Sequence, residues 1–343
     1  MSGGAATTVK AIRVPRLGFL GVGWIGRQRM QALHDDGGIQ AVALADVDAA
    51  ARDAAAREIP GVQALQSLDE LLEVGLDGLV IATPSAQHAE QAVAALERGI
   101  AVFCQKPLGR TAHEAQRVVE AARGADRPLA VDLSYRTLRA TGAARQAIAD
   151  GEIGEPFAAE LVFHNGYGPD KPWFSSRRMA GGGCLMDLGT HLVDLGLWVT
   201  DSRRVTVEWA HLLRRGRPLR EGGDDAVEDF ALAELCTAAA MSVRLACSWY
   251  LPVGRDCAFE CTVYGTEGAV SIRNVGGSFY DFIAHRHSGT RSEVLAQPPD
   301  AWGPRALADW AQALAAGGGF DPGTGEQLVE RAAILDEIYR VAA

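Results

Sequence analysis

Paired cysteines, long apolar runs and surplus positive charge are all missing from this chain of 343 residues. The six cysteines (Cys104, Cys184, Cys236, Cys247, Cys257 and Cys261) show neither CxxC spacing nor a cluster. Cys257 and Cys261 are near neighbours, but no histidine or cysteine pair stands ready to complete a zinc site. Buried free thiols in a reducing compartment are the plain reading, and no metal is expected. No run approaches the ~18 apolar residues of a membrane span. The start, Met1 to Lys10, is small and polar and lacks the apolar core of a signal peptide. A cytoplasmic protein without a membrane partner is the expectation. Lys and Arg number 33 against 43 Asp and Glu, a net charge of −10. A nucleic-acid binder needs the opposite sign, at least locally. The basic stretch Leu212–Arg220 is too short and isolated to supply it and reads as a solvated loop.

What is present is ordinary globular composition, 48% hydrophobic and 22% charged, at a length that suits two domains. In the first third, short apolar runs (Arg16–Leu20, Ala41–Ala45, Gly78–Ala82, Ile100–Cys104, Pro128–Val131) alternate with helix-like stretches, including Trp24–His34, Ser85–Arg98 and one capped by Thr111. Such alternation means βαβ units and a doubly wound parallel sheet. From Phe157 onward longer strands dominate: Ala158–Phe163, Val205–Leu212, Phe230–Leu235, Met241–Trp249, Ala258–Tyr264 and Val270–Ile272. Few helices interrupt them apart from Leu185–Val199. The expectation is an α/β Rossmann domain over 12–135 and an α+β domain over 136–343 with a large, mostly antiparallel open sheet, whose closing helix packs back on the first domain. An open sheet needs its second face covered, so a homodimer or homotetramer is expected.

Gly21-Val22-Gly23-Trp24-Ile25-Gly26 follows the first strand and opens the first helix, the context a dinucleotide site requires. Gly21 permits the tight turn, Gly23 lets a pyrophosphate approach, and Gly26 lets helix pack on strand. The helix start offers free N–H groups to the phosphates. Asp46 ends the second strand, 20 residues beyond Gly26. A carboxylate there accepts both adenosine-ribose hydroxyls and repels a 2′-phosphate, so NAD is expected over NADP.

Three further blocks lie outside this fingerprint. Thr83 and Pro84 end the fourth strand, with His88 four residues on. Gln105-Lys106-Pro107 ends the fifth. Gly181-Gly182-Gly183 precedes Asp187-Leu188-Gly189-Thr190-His191-Leu192-Val193-Asp194. Together they resemble the glucose–fructose oxidoreductase / inositol dehydrogenase / rhizopine-catabolism family, Gfo/Idh/MocA, over nearly the whole chain. The resemblance implies an NAD-dependent oxidoreductase acting on a secondary ring hydroxyl of a sugar or cyclitol. Its Glu-Lys-Pro motif matches Gln105-Lys106-Pro107, with the lysine beside the nicotinamide and the reacting hydroxyl; the glutamate is here a glutamine. Its Asp-x-x-x-His motif matches Asp187 and His191, the histidine being the general acid/base. Asp194 matches a position that touches substrate, and Trp173 an aromatic in the loop leading to the site. The fold also serves redox-neutral, NAD-assisted glycosidases and non-catalytic dinucleotide sensors, the latter expected to lose the catalytic residues. Members work on amino sugars as well, which an acidic protein with Asp194 in its site suits better than an anionic substrate.

The chemistry agrees independently. Oxidising an alcohol by hydride transfer requires the hydroxyl proton to leave, and a histidine with a pKa of about 7 is the natural base. At i, i+4 on a helix, Asp187 would share a face with His191 and orient its ring. A lysine ammonium stabilises the developing alkoxide. Tyr135, Arg136, His164, Asn165 and Arg177 are further candidate substrate contacts. His88, though grouped with the cofactor residues, reads more simply as structural.

Overall fold

The computed structural model describes residues 14–343 except 37, 38, 222 and 224; the polar start Met1–Lys10 lies outside the described residues. Six strands, β1 (Arg16–Leu20), β2 (Gln40–Ala45), β3 (Gln63–Leu65), β4 (Gly78–Ile81), β5 (Ala101–Cys104) and β6 (Leu129–Val131), form a sheet of order β3-β2-β1-β4-β5-β6. Every pairing is parallel. β4 and β5 are buried along their whole length, as central parallel strands covered on both faces must be. Helices α1 (Trp24–Asp36) and α2 (Ala49–Glu58) cover one face; α3 (Leu68–Leu72), α4 (Ser85–Glu97) and α5 (Ala112–Ala125) cover the other. Ser67 and Thr111 cap α3 and α5 as their sequence positions imply, accepting from the amides of Glu70 and Glu114. Strand order reverses between β1 and β4, which opens the ligand crevice at their carboxyl ends.

A 3-10 turn, Ser134–Thr137, leads to α6 (Arg139–Ala149) and then β7 (Pro156–Asn165), α7 (Arg177–Ala180), α8 (Thr190–Val199), β8 (Val205–Arg214), β9 (Arg217–Pro218), β10 (Phe230–Thr237), β11 (Ser242–Ser248), β12 (Cys257–Gly265), β13 (Ala269–Asn274), β14 (Phe282–Ser288) and β15 (Arg291–Ala296). The nine strands run β15-β14-β13-β12-β7-β11-β10-β8-β9. All pairings are antiparallel except β7 with β11. Along β7, Ala159, Leu161 and Phe163 are buried towards α6 and α8, while Ala158, Glu160, Val162 and His164 face the uncovered side. Two helices close the chain. α9 (Arg305–Ala315) sends Leu307 and Trp310 into the α1–α2 side of the Rossmann core. α10 (Pro322–Val341) places Leu328 among α4 and α5 and Ile334, Leu335 and Ile338 in the second core.

The stretch Leu185–Val199 departs from the single helix expected of it. It begins as a π-helical turn, Leu185–Gly189, and only then becomes α8.

Candidate active site

The cofactor end is built from backbone. Gly21 has φ +82°, and a Cβ there would stand 2.6 Å from the Ala82 carbonyl oxygen. A Cβ on Gly26 would stand 2.0 Å from the Gly21 oxygen, whereas one on Gly23 would meet nothing within 4 Å. Two glycines thus lock turn, helix and β4 together, and the third leaves open space at the start of α1. Trp24 is exposed and Ile25 half-buried beside it. Asp46 accepts the amides of Val22 (2.8 Å, Oδ2) and Asp48 (2.9 Å, Oδ1), which fixes its carboxylate at the mouth of the glycine turn. These residues fit an NAD adenosine and pyrophosphate. Thr83 and Pro84 lie at the end of β4, Pro84 opening α4 and Thr83 Oγ1 donating to Gln91 (2.6 Å). His88 is corrected from cofactor contact to strut: it is 1% exposed, and its ring nitrogens lie 2.7 Å from the Pro107 oxygen and 2.6 Å from the Thr83 oxygen.

Lys106 stands one residue beyond Gln105 at the end of β5. Its Nζ donates to Asp187 Oδ1 at 2.5 Å and to the Asp187 carbonyl at 2.8 Å. The other carboxylate oxygen accepts from Trp249 Nε1 at 3.1 Å. Asp187 therefore serves Lys106 and Trp249, not His191, and the orienting dyad expected at i, i+4 is corrected. The reason is the π turn, which breaks the α-helical spacing between the two residues. His191 is held instead by aromatic packing, its ring edge-to-face with Tyr135 at 4.8 Å between centroids. His191 Nδ1 is buried without a hydrogen bond. Burial, seconded by the Lys106 charge, holds its pKa well below the ordinary 6.5. A base titrating near neutrality is thus replaced by one that stays neutral throughout that range.

Glu228 and Tyr339 carry no motif, yet they set this geometry. Fully buried, Glu228 accepts through Oε1 from the amides of Gly183 and Leu185 (both 2.9 Å) and from the Tyr339 hydroxyl (2.8 Å). Its pKa is raised by burial, against those hydrogen bonds. The glycines permit the approach: a Cβ on Gly183 would lie 1.9 Å from the Glu228 carbonyl oxygen, and one on Gly182 1.8 Å from the Tyr339 hydroxyl. Trp249 was equally invisible to motif reasoning. A tryptophan just beyond a strand carries no signal until the course of the chain leaving β11 is known.

The candidate substrate residues divide. Trp173 is brought in: it stacks on Phe174 (3.8 Å), which meets Trp249 edge-on (6.3 Å). Asn165 lies on the helix-covered face with Phe163, its Oδ1 buried and unpartnered. Arg177 lies over the Tyr339 ring, 5.4 Å from its centroid. Four are corrected. Asp194 is 2% exposed and receives the Arg136 guanidinium on both oxygens, so each closes the other off from substrate. Tyr135 is an aromatic core residue, stacked on Phe259 and edge-on to Phe163 and Phe282. His164 points to the open side of the sheet, bonded to Ser248 Oγ at 2.8 Å, because alternation along β7 puts it opposite Phe163.

Two family models cover most of the chain: the "oxidoreductase family, NAD-binding Rossmann fold" over residues 15–133 and the "GFO/IDH/MocA C-terminal domain" over residues 141–271. A 1,5-anhydro-D-fructose reductase of Ensifer adhaerens is 32% identical over 271 residues, 76% of either chain. The chain belongs to the Gfo/Idh/MocA family. As a Gfo/Idh/MocA protein it is an NAD-dependent oxidoreductase acting on CH–OH groups. Its fold is that of levoglucosan dehydrogenase in complex with NADH and L-sorbose (TM-score 0.82, 22% identity, 96% of each chain). GenD2 from gentamicin A biosynthesis, in complex with NAD, matches equally (TM-score 0.82, 24% identity, 99% of this chain and 97% of that one). Among the described residues, no helix is long and apolar enough to cross a membrane.

Proposed function

We propose that this Gfo/Idh/MocA chain oxidises a secondary ring hydroxyl of a sugar, cyclitol or sugar-containing metabolite to the ketone, with residues 12–135 holding NAD and residues 136–343 the substrate. The observation that carries the reading is the 2.5 Å ion pair between Lys106 of the cofactor side and Asp187 of the substrate side, with His191 next along the same segment. When bound, NAD accepts the hydride. The chain's own groups do the rest. Asp46 takes the ribose hydroxyls, and the space over Gly23 takes the pyrophosphate at the start of α1. The Lys106 ammonium, aimed by Asp187, stabilises the developing alkoxide. With Nδ1 sealed off, His191 uses Nε2 to receive the hydroxyl proton. Trp173, backed by Phe174 and the buried Trp249, offers an aromatic face to the C–H side of a sugar ring.

The finer proposal is a cationic amino sugar or aminoglycoside. The net charge of −10 favours a cation, and the structural similarity to GenD2 points the same way. Asp194 no longer supports it. The working form is a cytoplasmic homodimer or homotetramer joined through the open sheet face. The test is NADH formation, followed by absorbance, against a panel of sugars, cyclitols and aminoglycosides. Stoichiometric NADH and ketone are expected. NADH binding without NADH formation from any member of the panel overturns the reading, and net hydrolysis without NADH makes it a redox-neutral glycosidase.

A further inference from the structure

Gln105 is the first residue beyond β5, at the carboxyl edge of the parallel sheet, with its main-chain amide bonded to the Ile81 oxygen at 2.8 Å. A glutamine has a donor end and an acceptor end, and what it shows the cleft depends on which one is tied down. Here the tie is explicit. Nε2 donates to Oδ2 of Asp132, the first residue beyond β6. A carboxylate only accepts, so the NH2 end turns towards Asp132 and Oε1 is left on the opposite side of the amide.

We propose that Asp132, clamped by Arg29, is a positioning residue of this enzyme: it fixes Gln105 so that the amide carbonyl, not the NH2, faces the nicotinamide end of the cofactor cleft. The inference rests on NAD lying along this edge. Asp132 is 2% exposed, and a carboxylate so buried needs a partner. Arg29 of α1, itself 9% exposed, supplies it, donating from Nε to the same Oδ2 at 2.8 Å. The Asp132 amide is bonded to the Cys104 oxygen at 2.9 Å, so α1, β5 and β6 all hold the carboxylate in place. Burial first, and then the Asp132 charge, push the neighbouring Cys104 thiol up. Asp132 Oδ1 is buried with no partner, so the pocket has an acceptor to spare for the NH2 end of Gln105.

This gives the departure from the family's Glu-Lys-Pro motif a physical reason. A glutamate in place of Gln105 would set its carboxylate against that of Asp132, and like charges at hydrogen-bond distance cannot both stay ionised. The edge keeps one carboxylate, carried on the adjacent strand, and Gln105 presents a neutral acceptor oxygen in front of Lys106.

The test is a reciprocal exchange in the full-length enzyme, read by NADH titration, KM, kcat and the melting temperature of the cofactor-free protein. Gln105→Glu should lower the melting temperature and weaken NADH at least ~10-fold, and Asp132→Asn, which strands the Arg29 charge, should do the same. In the double variant Gln105→Glu/Asp132→Asn, the amide introduced on the β6 side donates to the carboxylate introduced on the β5 side. NADH affinity should then return to within ~3-fold of the parent. A double variant that binds NADH no better than the worse single overturns the proposal, as does Gln105→Glu with parental affinity. Coupling seen in melting but not in NADH affinity overturns the orienting role as well. A parent enzyme that fails to bind NADH overturns instead the placement of NAD on which this rests.

Discussion

At the scale of single residues, the site is economical with lysine. The chain holds only three lysines against 30 arginines, and one of them, Lys106, is the ammonium aimed by Asp187. A compact point charge suits an alkoxide better than a guanidinium fork. Lys106→Met, which keeps length and removes charge, should therefore depress kcat more than it weakens NADH binding, measured by steady-state kinetics and titration. His191→Ala should lower kcat ~10²–10⁴-fold, the range for losing a general base. Because burial holds the His191 pKa below 6.5, the acid limb of kcat/KM should fall below pH 6.5 rather than at neutrality, and it should vanish in His191→Ala. The same shift touches stability. The unfolded chain takes up the proton first, so stability is full above pH 6.5 and drops as pH falls below it. Calorimetric melting between pH 7 and 5 should show this drop, and His191→Asn should lessen it, leaving the part that the buried His88 and the partly buried His164 contribute in the same direction. Asp46→Ser with Val47→Arg should narrow or invert a preference for NAD over NADP, ~10-fold or more in the parent, in calorimetric titrations. Equal parental affinities would refute the role given to Asp46.

Elements explain why some of this was legible and some was not. The parallel strands could be read because they are buried on both faces and appear as unbroken apolar runs, such as Leu79-Val80-Ile81 and Val102-Phe103-Cys104. The glycine turn and Asp46 followed from spacing alone. β14 and β15 escaped notice because they end the sheet and carry Arg286, His287, Arg291 and Glu293, with little apolar alternation. α6 escaped because it buries alanines and Thr141 rather than large residues. Local periodicity has no access to a π turn, nor to a buried Glu228 supplied from a distant loop. The Gly183–Glu228 contact makes a sharp prediction. A Cβ at Gly183 meets main chain, which cannot rotate away, so Gly183→Ala should cost about 1–3 kcal/mol in denaturant unfolding and reduce kcat by displacing Asp187. Wild-type stability in Gly183→Ala would mean that the turn is looser than described.

For the whole molecule, the open side of the nine-stranded sheet invites a second copy. Trp209 and Val294 stand about half exposed there, and Val162 lies at its centre on β7. Light scattering should report a dimer or tetramer, and Val162→Asp should dissociate it; a monomeric parent sinks the assignment of that face. The chain's two ends of structure are also tied together. α9 and α10 finish a core that α1, α2, α4 and α5 began, and α10 belongs to the second core as well. During synthesis this imposes an order. The ribosome delivers the cofactor-binding half before the second domain, yet the seats of Leu307, Trp310 and Leu328 stay bare until α9 and α10 emerge. The nascent Rossmann half therefore waits, apolar surface uncovered, for as long as the second domain's strands take to translate, and helices made after them let the first half become native.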